Sequence, residues 1–171
     1  HVSGQLPRSP YKGLAPFADT AIDAMLFFGR EQDVEIVCAN VVASRLTVLY
    51  GPSGVGKSSL LAAAVARRLR ELPEQPVVVV FSAWSESPAA AIARAVAAEA
   101  GVDADGTLVE VVERACEVRS EVYLLLDQVE EYFLYHPASG PLEQELADLL
   151  RGGARVNILV SLREDALAKL D

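Results

Sequence analysis

From Gly51 to Ser58 the chain reads Gly-Pro-Ser-Gly-Val-Gly-Lys-Ser, which satisfies the pattern GxxxxGK[ST] at every required position. The spacing has a mechanical reason. Gly51, Gly54 and Gly56 let the backbone curl, so that successive N–H groups along Ser53, Gly54, Val55 and Gly56 point inward at a phosphate. A helix starting at Lys57 adds its positive N-terminal end to the same spot. Lys57 can then reach the β- and γ-phosphates, the Ser58 hydroxyl can ligate Mg²⁺, and Ser59 can touch the α-phosphate. At ordinary residue usage a random chain of this length matches the pattern on the order of once in a hundred. A glycine-rich turn with a surface lysine is therefore the weaker explanation.

Two further groups belong to the same chemistry. Val122-Tyr123-Leu124-Leu125-Leu126-Asp127 is an apolar run ending in an acid. A carboxylate at the tip of a buried strand beside a phosphate loop can hold Mg²⁺, usually through water. Gln128, Glu130 and Glu131 follow, and splitting a nucleoside triphosphate needs a group that polarises the attacking water. Glu130 or Glu131 can serve from the next turn, or Gln128 can orient the water; the plainer role for either glutamate is to cap or solvate a helix start. The last group is Val160-Ser161-Leu162-Arg163-Glu164-Asp165. There Ser161 can sense the γ-phosphate and Arg163 can supply positive charge to it, unless Arg163 pairs with Glu164 or Asp165.

Holding these groups together requires strands that end side by side. Four short apolar runs, Leu46–Tyr50, Val77–Phe81, Val122–Asp127 and Val156–Ser161, suit strands buried on both faces of a parallel sheet. Helical patterns lie between them at Lys57–Glu71, Pro88–Ala100, Thr107–Arg119 and Leu142–Arg151, with another over Glu31–Ser44. Leu61, Val65 and Leu69 recur every four residues and give the first of the intervening helices one apolar stripe. Pro88 behind Ser87 marks a helix start. Strands alternating with helices predict an α/β fold. In open sheets of this kind the ligand crevice lies outside the carboxyl ends of the strands, which is where all three polar groups fall.

The chain has 171 residues, 51% apolar and 23% charged, enough for one domain with a real core and against a disordered tail. Twenty-four acids against 15 bases give a net charge of −9, which disfavours nonspecific binding to nucleic acid. Arg67, Arg68 and Arg70 form the one tight basic cluster, read as a solvated helix end. Cys38 and Cys116 stand far apart in helical patterns, and with no CxxC or Cys/His grouping they read as reduced, buried thiols. No stretch approaches the roughly 20 apolar residues of a membrane span, and no apolar leader core appears among the first residues. The expectation is a cytoplasmic protein with no membrane partner.

With those residues in place, the chain resembles the STAND class of P-loop NTPases, related to the AAA+ proteins, and within it the novel STAND NTPase family of bacteria. The likeness runs from about Tyr11 to Ala168. It is carried by Tyr11-Lys12-Gly13-Leu14-Ala15-Pro16-Phe17, Phe27-Phe28-Gly29-Arg30-Glu31, the phosphate loop, Leu126-Asp127-Gln128-Val129-Glu130-Glu131 and Ser161-Leu162-Arg163-Glu164-Asp165. Phe-Phe-Gly-Arg-Glu together with Asp-Gln-x-Glu-Glu is more specific than the loop alone. The resemblance implies a three-layer P-loop NTPase with a mainly parallel sheet. Numbering the four apolar runs in chain order, the strand order would be 2-3-4-1, with an additional strand of the complete domain missing. It also implies that Phe28, Gly29 and Arg30 pack beside an adenine ring; read from the residues alone, that segment is a turn before a helix with Phe27 and Phe28 in the core. Family members act as switches in signalling and defence, held off by ADP and released by ATP to oligomerise. The implied ligands are ATP or ADP with Mg²⁺, and the implied partners are other domains of a larger protein and further copies of the chain. Residues 1–20 would be an irregular lead-in and 21–171 the NTPase core, cut before its helical lid and winged-helix portions.

Two other classes use the same loop. A small-molecule kinase would want an arginine-rich lid, for which only Arg151 and Arg155 offer themselves. A nucleotide-binding module that never turns over would suit Gln128 directly after Asp127, where many such enzymes carry glutamate. A transporter-type ATPase lacks its LSGGQ-like signature here, and a DNA-translocating motor sits poorly with the negative charge.

Overall fold

The β-branched and leucine-rich runs become the middle layer of three. The computed structural model describes residues 24–27, 34–51, 57–136 and 140–163. Its strands are β1 (Ala24–Phe27), β2 (Leu46–Gly51), β3 (Val77–Phe81), β4 (Val122–Leu126) and β5 (Val156–Arg163). Its helices are α1 (Val34–Ala43), α2 (Lys57–Arg70), α3 (Pro88–Ala100), α4 (Leu108–Val118), α5 (Val129–Tyr135) and α6 (Pro141–Arg151). The strands form a single sheet in the order β1-β2-β5-β4-β3, and every pairing is parallel. The four expected strands thus stand in the expected order. A fifth, β1, adds to the outer edge of β2. Its four residues are too short a run to signal a strand without the neighbour they pair with.

Alternation along each strand sends side chains to two cores. On one face Val37 and Val41 of α1 and Val65, Ala66 and Leu69 of α2 cover Leu49, Val78, Tyr123, Leu125 and Leu159. On the other, Ile92 and Val96 of α3, Val111 and Val112 of α4, and Leu146 and Leu149 of α6 pack with Val79, Leu124, Ile158 and Val160. Each fully buried branched side chain contributes roughly 1.5–3 kcal/mol. Leu61, Val65 and Leu69 do face the sheet, with Leu61 partly buried and the other two fully so.

Local chemistry ends the helices. Ser87 and Pro88 start α3, and Gly101, with φ of 71°, closes it by donating to the carbonyl of Ala97. Thr107 caps α4 by accepting from the N–H of Glu110 at 3.2 Å. Arg67, Arg68 and Arg70 occupy the last turn of α2, where Arg67 faces Glu71, Arg68 faces Glu35 and Arg70 faces Glu99, as a solvated helix end would. The two cysteines are free thiols, half-buried rather than buried: each leans on a carbonyl at the rim of its helix, Cys38 on Val65 and Cys116 on Arg155. Desolvation is the main cause that raises the pKa of Cys116. Among the described residues no helix is long and apolar enough to cross a membrane.

Candidate functional site

Because all five strands run the same way, their carboxyl ends share one edge of the sheet. The register shows what meets there. Gly51, the last residue of β2, pairs with Arg163, the last of β5, and Leu49 pairs with Ser161. Leu126 pairs with Val160 on one side and Phe81 on the other. One step beyond that pair stand Asp127 and Ser161, on neighbouring strands about 4.8 Å apart. Leu125 and Leu159 point to the α2 face, so Asp127 and Ser161, two residues further on, share that face. Helix α2 begins at Lys57, six residues after Gly51.

Both polar side chains are taken out of water. Asp127 is 3% exposed and Ser161 is 2% exposed. Among the described residues the Ser161 hydroxyl has no hydrogen-bond partner, which costs about 1–3 kcal/mol unless something else supplies one. The hydroxyl of Tyr123 is likewise buried without a partner of normal hydrogen-bond geometry; burial first, then the nearby charge of Glu121, pushes its pKa up. Tyr123 lies near the opposite end of β4, away from the strand tips. Ser161, by contrast, lies toward the carboxyl end of β5.

Asp127 is held through its backbone. Its N–H donates to the carbonyl of Phe81 at 2.9 Å. Its own carbonyl accepts the indole N–H of Trp84 at 2.7 Å. The carboxylate Oδ1 accepts the N–H of Gln128 at 3.0 Å. Gln128 itself sits at φ 53° and ψ 43°, a left-handed conformation that costs a non-glycine residue about 1 kcal/mol. That turn starts α5, whose first turn carries Glu130 and Glu131, both half-buried. On the far side of α5 the Tyr132 hydroxyl bonds to Glu143, whose carboxylate also accepts the N–H of Gly140 at 2.7 Å. Burial, then Glu143, pushes the Tyr132 pKa up.

The sequence-predicted residues are therefore placed as follows. Gly51, Asp127, Ser161 and Arg163 come to one edge of the sheet, with Gln128, Glu130 and Glu131 on the turn and helix directly above β4. Lys57, Ser58 and Ser59 form the first turn of α2. Phe28, Gly29, Arg30, Ser53, Gly54, Val55 and Gly56 lie outside the described residues. Sequence reasoning missed α5, the strained turn at Gln128, and Trp84. The available signal for Trp84 was its place just after an apolar run, where a strand end meets the crevice.

The donor set fits a hard cation bound with phosphate. Among the described residues no three His, Cys, Asp or Glu side chains gather as a metal cluster. A single carboxylate at a strand tip suits Mg²⁺, which takes its remaining oxygens from phosphate, water and a hydroxyl. The orphaned hydroxyl of Ser161 suits a polar ligand at the same edge.

Comparison with known proteins agrees in fold. The family model described as Novel STAND NTPase 1 matches residues 10–171. Among solved structures, the chain is similar to the Aeropyrum pernix ORC2 protein in its ADP form, with a TM-score of 0.55 and 14% identity over 94% of this chain and 48% of that one. The same protein in ADPNP–ADP complexes gives a TM-score of 0.54 at 12% identity, covering 80% of this chain and 41% of that one. The chain thus spans less than half the length of these neighbours. No curated protein sequence matches it significantly.

Proposed function

The chain belongs to the Novel STAND NTPase 1 family, and from that premise we propose that it is the ATP- and ADP-binding core of a regulatory switch that hydrolyses ATP slowly with Mg²⁺. The observation that carries this reading is the pairing of a buried carboxylate, Asp127, with a buried hydroxyl, Ser161, that has no partner among the described residues, both at the carboxyl ends of their strands. A polar pair of that kind is costly in an apoprotein core and sensible beside a charged ligand.

In this proposal the backbone from Gly51 through Gly56 cradles the phosphates and Lys57 neutralises their charge, with Ser59 at the α-phosphate. Ser58 and Asp127 hold Mg²⁺, which when bound would draw charge from the β- and γ-phosphate oxygens. Ser161 and Arg163 read the γ-phosphate. Glu130 or Glu131 positions water, with Gln128 as the other candidate for that role. Phe28, Gly29 and Arg30 pack against the base. Exchange of ADP for ATP would change contacts at Ser161 and Arg163, and other domains of a larger cytoplasmic protein, or further copies of the chain, would respond. The capture of A. pernix ORC2 with ADP and ADPNP on the same fold supports the choice of ligand.

Calorimetric titration of ATP and ADP with Mg²⁺ into the parent and Lys57→Ala tests it. Binding by the parent that weakens by about a hundredfold or more in the variant is expected, a loss on the scale of one buried charge-assisted contact to phosphate. Equal binding by both would sink the site assignment. One observation favours a second reading, a binder that does not turn over: the residue after Asp127 is Gln128, locked in a left-handed turn. Phosphate release that vanishes in Glu130→Gln or Glu131→Gln excludes that reading, and its absence from the parent favours it.

A further inference from the structure

Helix α5 has only seven residues, Val129–Tyr135, well short of the length at which a helix holds itself in water. It also starts from the strained turn at Gln128. Something outside α5 must hold both features, and Trp84 touches each end. Its indole N–H donates to the carbonyl of Asp127 at 2.7 Å, just before the helix. Its own carbonyl meets Nε2 of His136 at 2.7 Å, just after it. Between those ties the Trp84 ring sits edge-on to Phe81, with centroids 4.9 Å apart, and to Tyr132 of α5, at 5.6 Å. Trp84 is 1% exposed.

The tie at the front of α5 acts on the carboxylate as well. The carbonyl that Trp84 holds and the N–H of Gln128 belong to one planar peptide unit. That N–H donates to Oδ1 of Asp127 at 3.0 Å. Turning the peptide would break the indole bond and the carboxylate bond together. We propose that Trp84 is a positioning residue that clasps α5 at both ends and, through the Asp127–Gln128 peptide, sets the direction in which the Asp127 carboxylate meets Mg²⁺ bound with nucleotide. The proposal rests on the reading of Asp127 as the Mg²⁺-holding carboxylate.

Trp84 is the single tryptophan of the chain, so its emission reports on the clasp without substitution at that position. In the parent, Mg²⁺ added to ADP-saturated protein is expected to shift the emission, and Asp127→Asn to abolish the shift. Trp84→Phe keeps a ring between Phe81 and Tyr132 but loses the N–H. By calorimetry it should bind ADP without Mg²⁺ as the parent does, yet need about tenfold more Mg²⁺ for half-saturation, in line with the loss of other groups that orient a metal ligand. A purely structural role would lower the melting temperature and leave the Mg²⁺ requirement alone. The proposal is overturned if Trp84→Phe keeps the parent's Mg²⁺ requirement. It is overturned equally, with no variant needed, if parent emission ignores Mg²⁺ that calorimetry shows binding. A parent that takes up no ADP, or takes it up without regard to Mg²⁺, fails at the earlier reading of the site and brings the clasp down with it.

Discussion

The two ends of the sheet treat most of their polar groups in different ways, the Tyr123 hydroxyl, buried without a partner of normal geometry near the amino end of β4, being the exception. At the amino ends of β2 and β5, polar side chains are used up on carbonyls. Arg45 donates to Gly152 at 3.2 Å, to Leu149 at 3.1 Å and to Ala154 at 3.0 Å, stitching the end of α6 to the start of β2. Asn157 donates to Val41 and Val42 and so closes the end of α1. At the carboxyl ends the buried polar side chains include Asp127 and Ser161, and among the described residues the Ser161 hydroxyl has no partner. The first arrangement stabilises the fold at once. The second is a net cost that a polar ligand would offset, because a buried polar group without a partner is unfavourable. One sheet thus has an end whose polar groups are spent on the fold and an end that, under the proposed function, takes the ligand.

The largest effect that would test this contrast is a reciprocal pair of substitutions. Arg45→Ala strips three carbonyls of a charged donor and should lower stability by about 2 kcal/mol, or roughly 6 °C in melting temperature, with nucleotide affinity unchanged at low temperature. Asp127→Ala should melt within about 1 kcal/mol of the parent, since it removes the cost of a buried charge along with the carboxylate's hydrogen bonding, and should abolish Mg²⁺ dependence. Thermal melts beside calorimetry decide it. If both variants lose stability alike and bind alike, the two ends are not different in kind.

A smaller pair compares buried hydroxyls. Thr47, near the start of β2, is fully buried and its hydroxyl meets the carbonyl of Asn40 at 3.5 Å. Thr47→Val should cost about 0.5 kcal/mol, the value of one long hydrogen bond. Ser161→Ala removes a hydroxyl that has no partner among the described residues, so stability should hold or rise by up to about 1 kcal/mol. The same variant should discriminate less between ATP and ADP. A melting temperature that falls in Ser161→Ala would mean the hydroxyl already has a structural use.

These contrasts also explain what the sequence made legible. The four main strands and the acid ending Leu124-Leu125-Leu126-Asp127 were readable because each is a local run of apolar residues, and the glycines before Lys57 form a pattern of fixed spacing whose loop lies outside the described residues. Strand β1 was not, because four residues become a strand only by pairing with β2. Helix α5 was not, because seven residues give less than two turns of periodicity and Trp84 and His136 hold it from outside. Tertiary partners of this kind leave no mark at fixed spacing. The burial of Ser161 followed from its strand, but its lack of a partner could be found only once β2 and β4 stood on either side.

The smallest expected effect is the most discriminating. Two non-glycine residues adopt the left-handed region among the described residues, Gln75 with φ 51° and Gln128 with φ 53°. Gln75 lies in the turn before β3, at the amino end of the sheet, and its N–H donates to the carbonyl of Leu72. Gln128 lies at the carboxyl end of the sheet, between Asp127 and α5. Glycine relieves strain of about 1 kcal/mol at either place and gives back roughly 0.5–1 kcal/mol in chain entropy. Gln75→Gly and Gln128→Gly should therefore each change stability by less than about 0.5 kcal/mol. Their melts cannot tell them apart; turnover can. If the strained turn serves to aim the groups after Asp127, freeing it lets the peptide that Trp84 holds rotate, and phosphate release should fall in Gln128→Gly alone. Equal phosphate release from both variants and the parent would reduce the turn at Gln128 to a tight connection between β4 and α5, no different in kind from the one before β3.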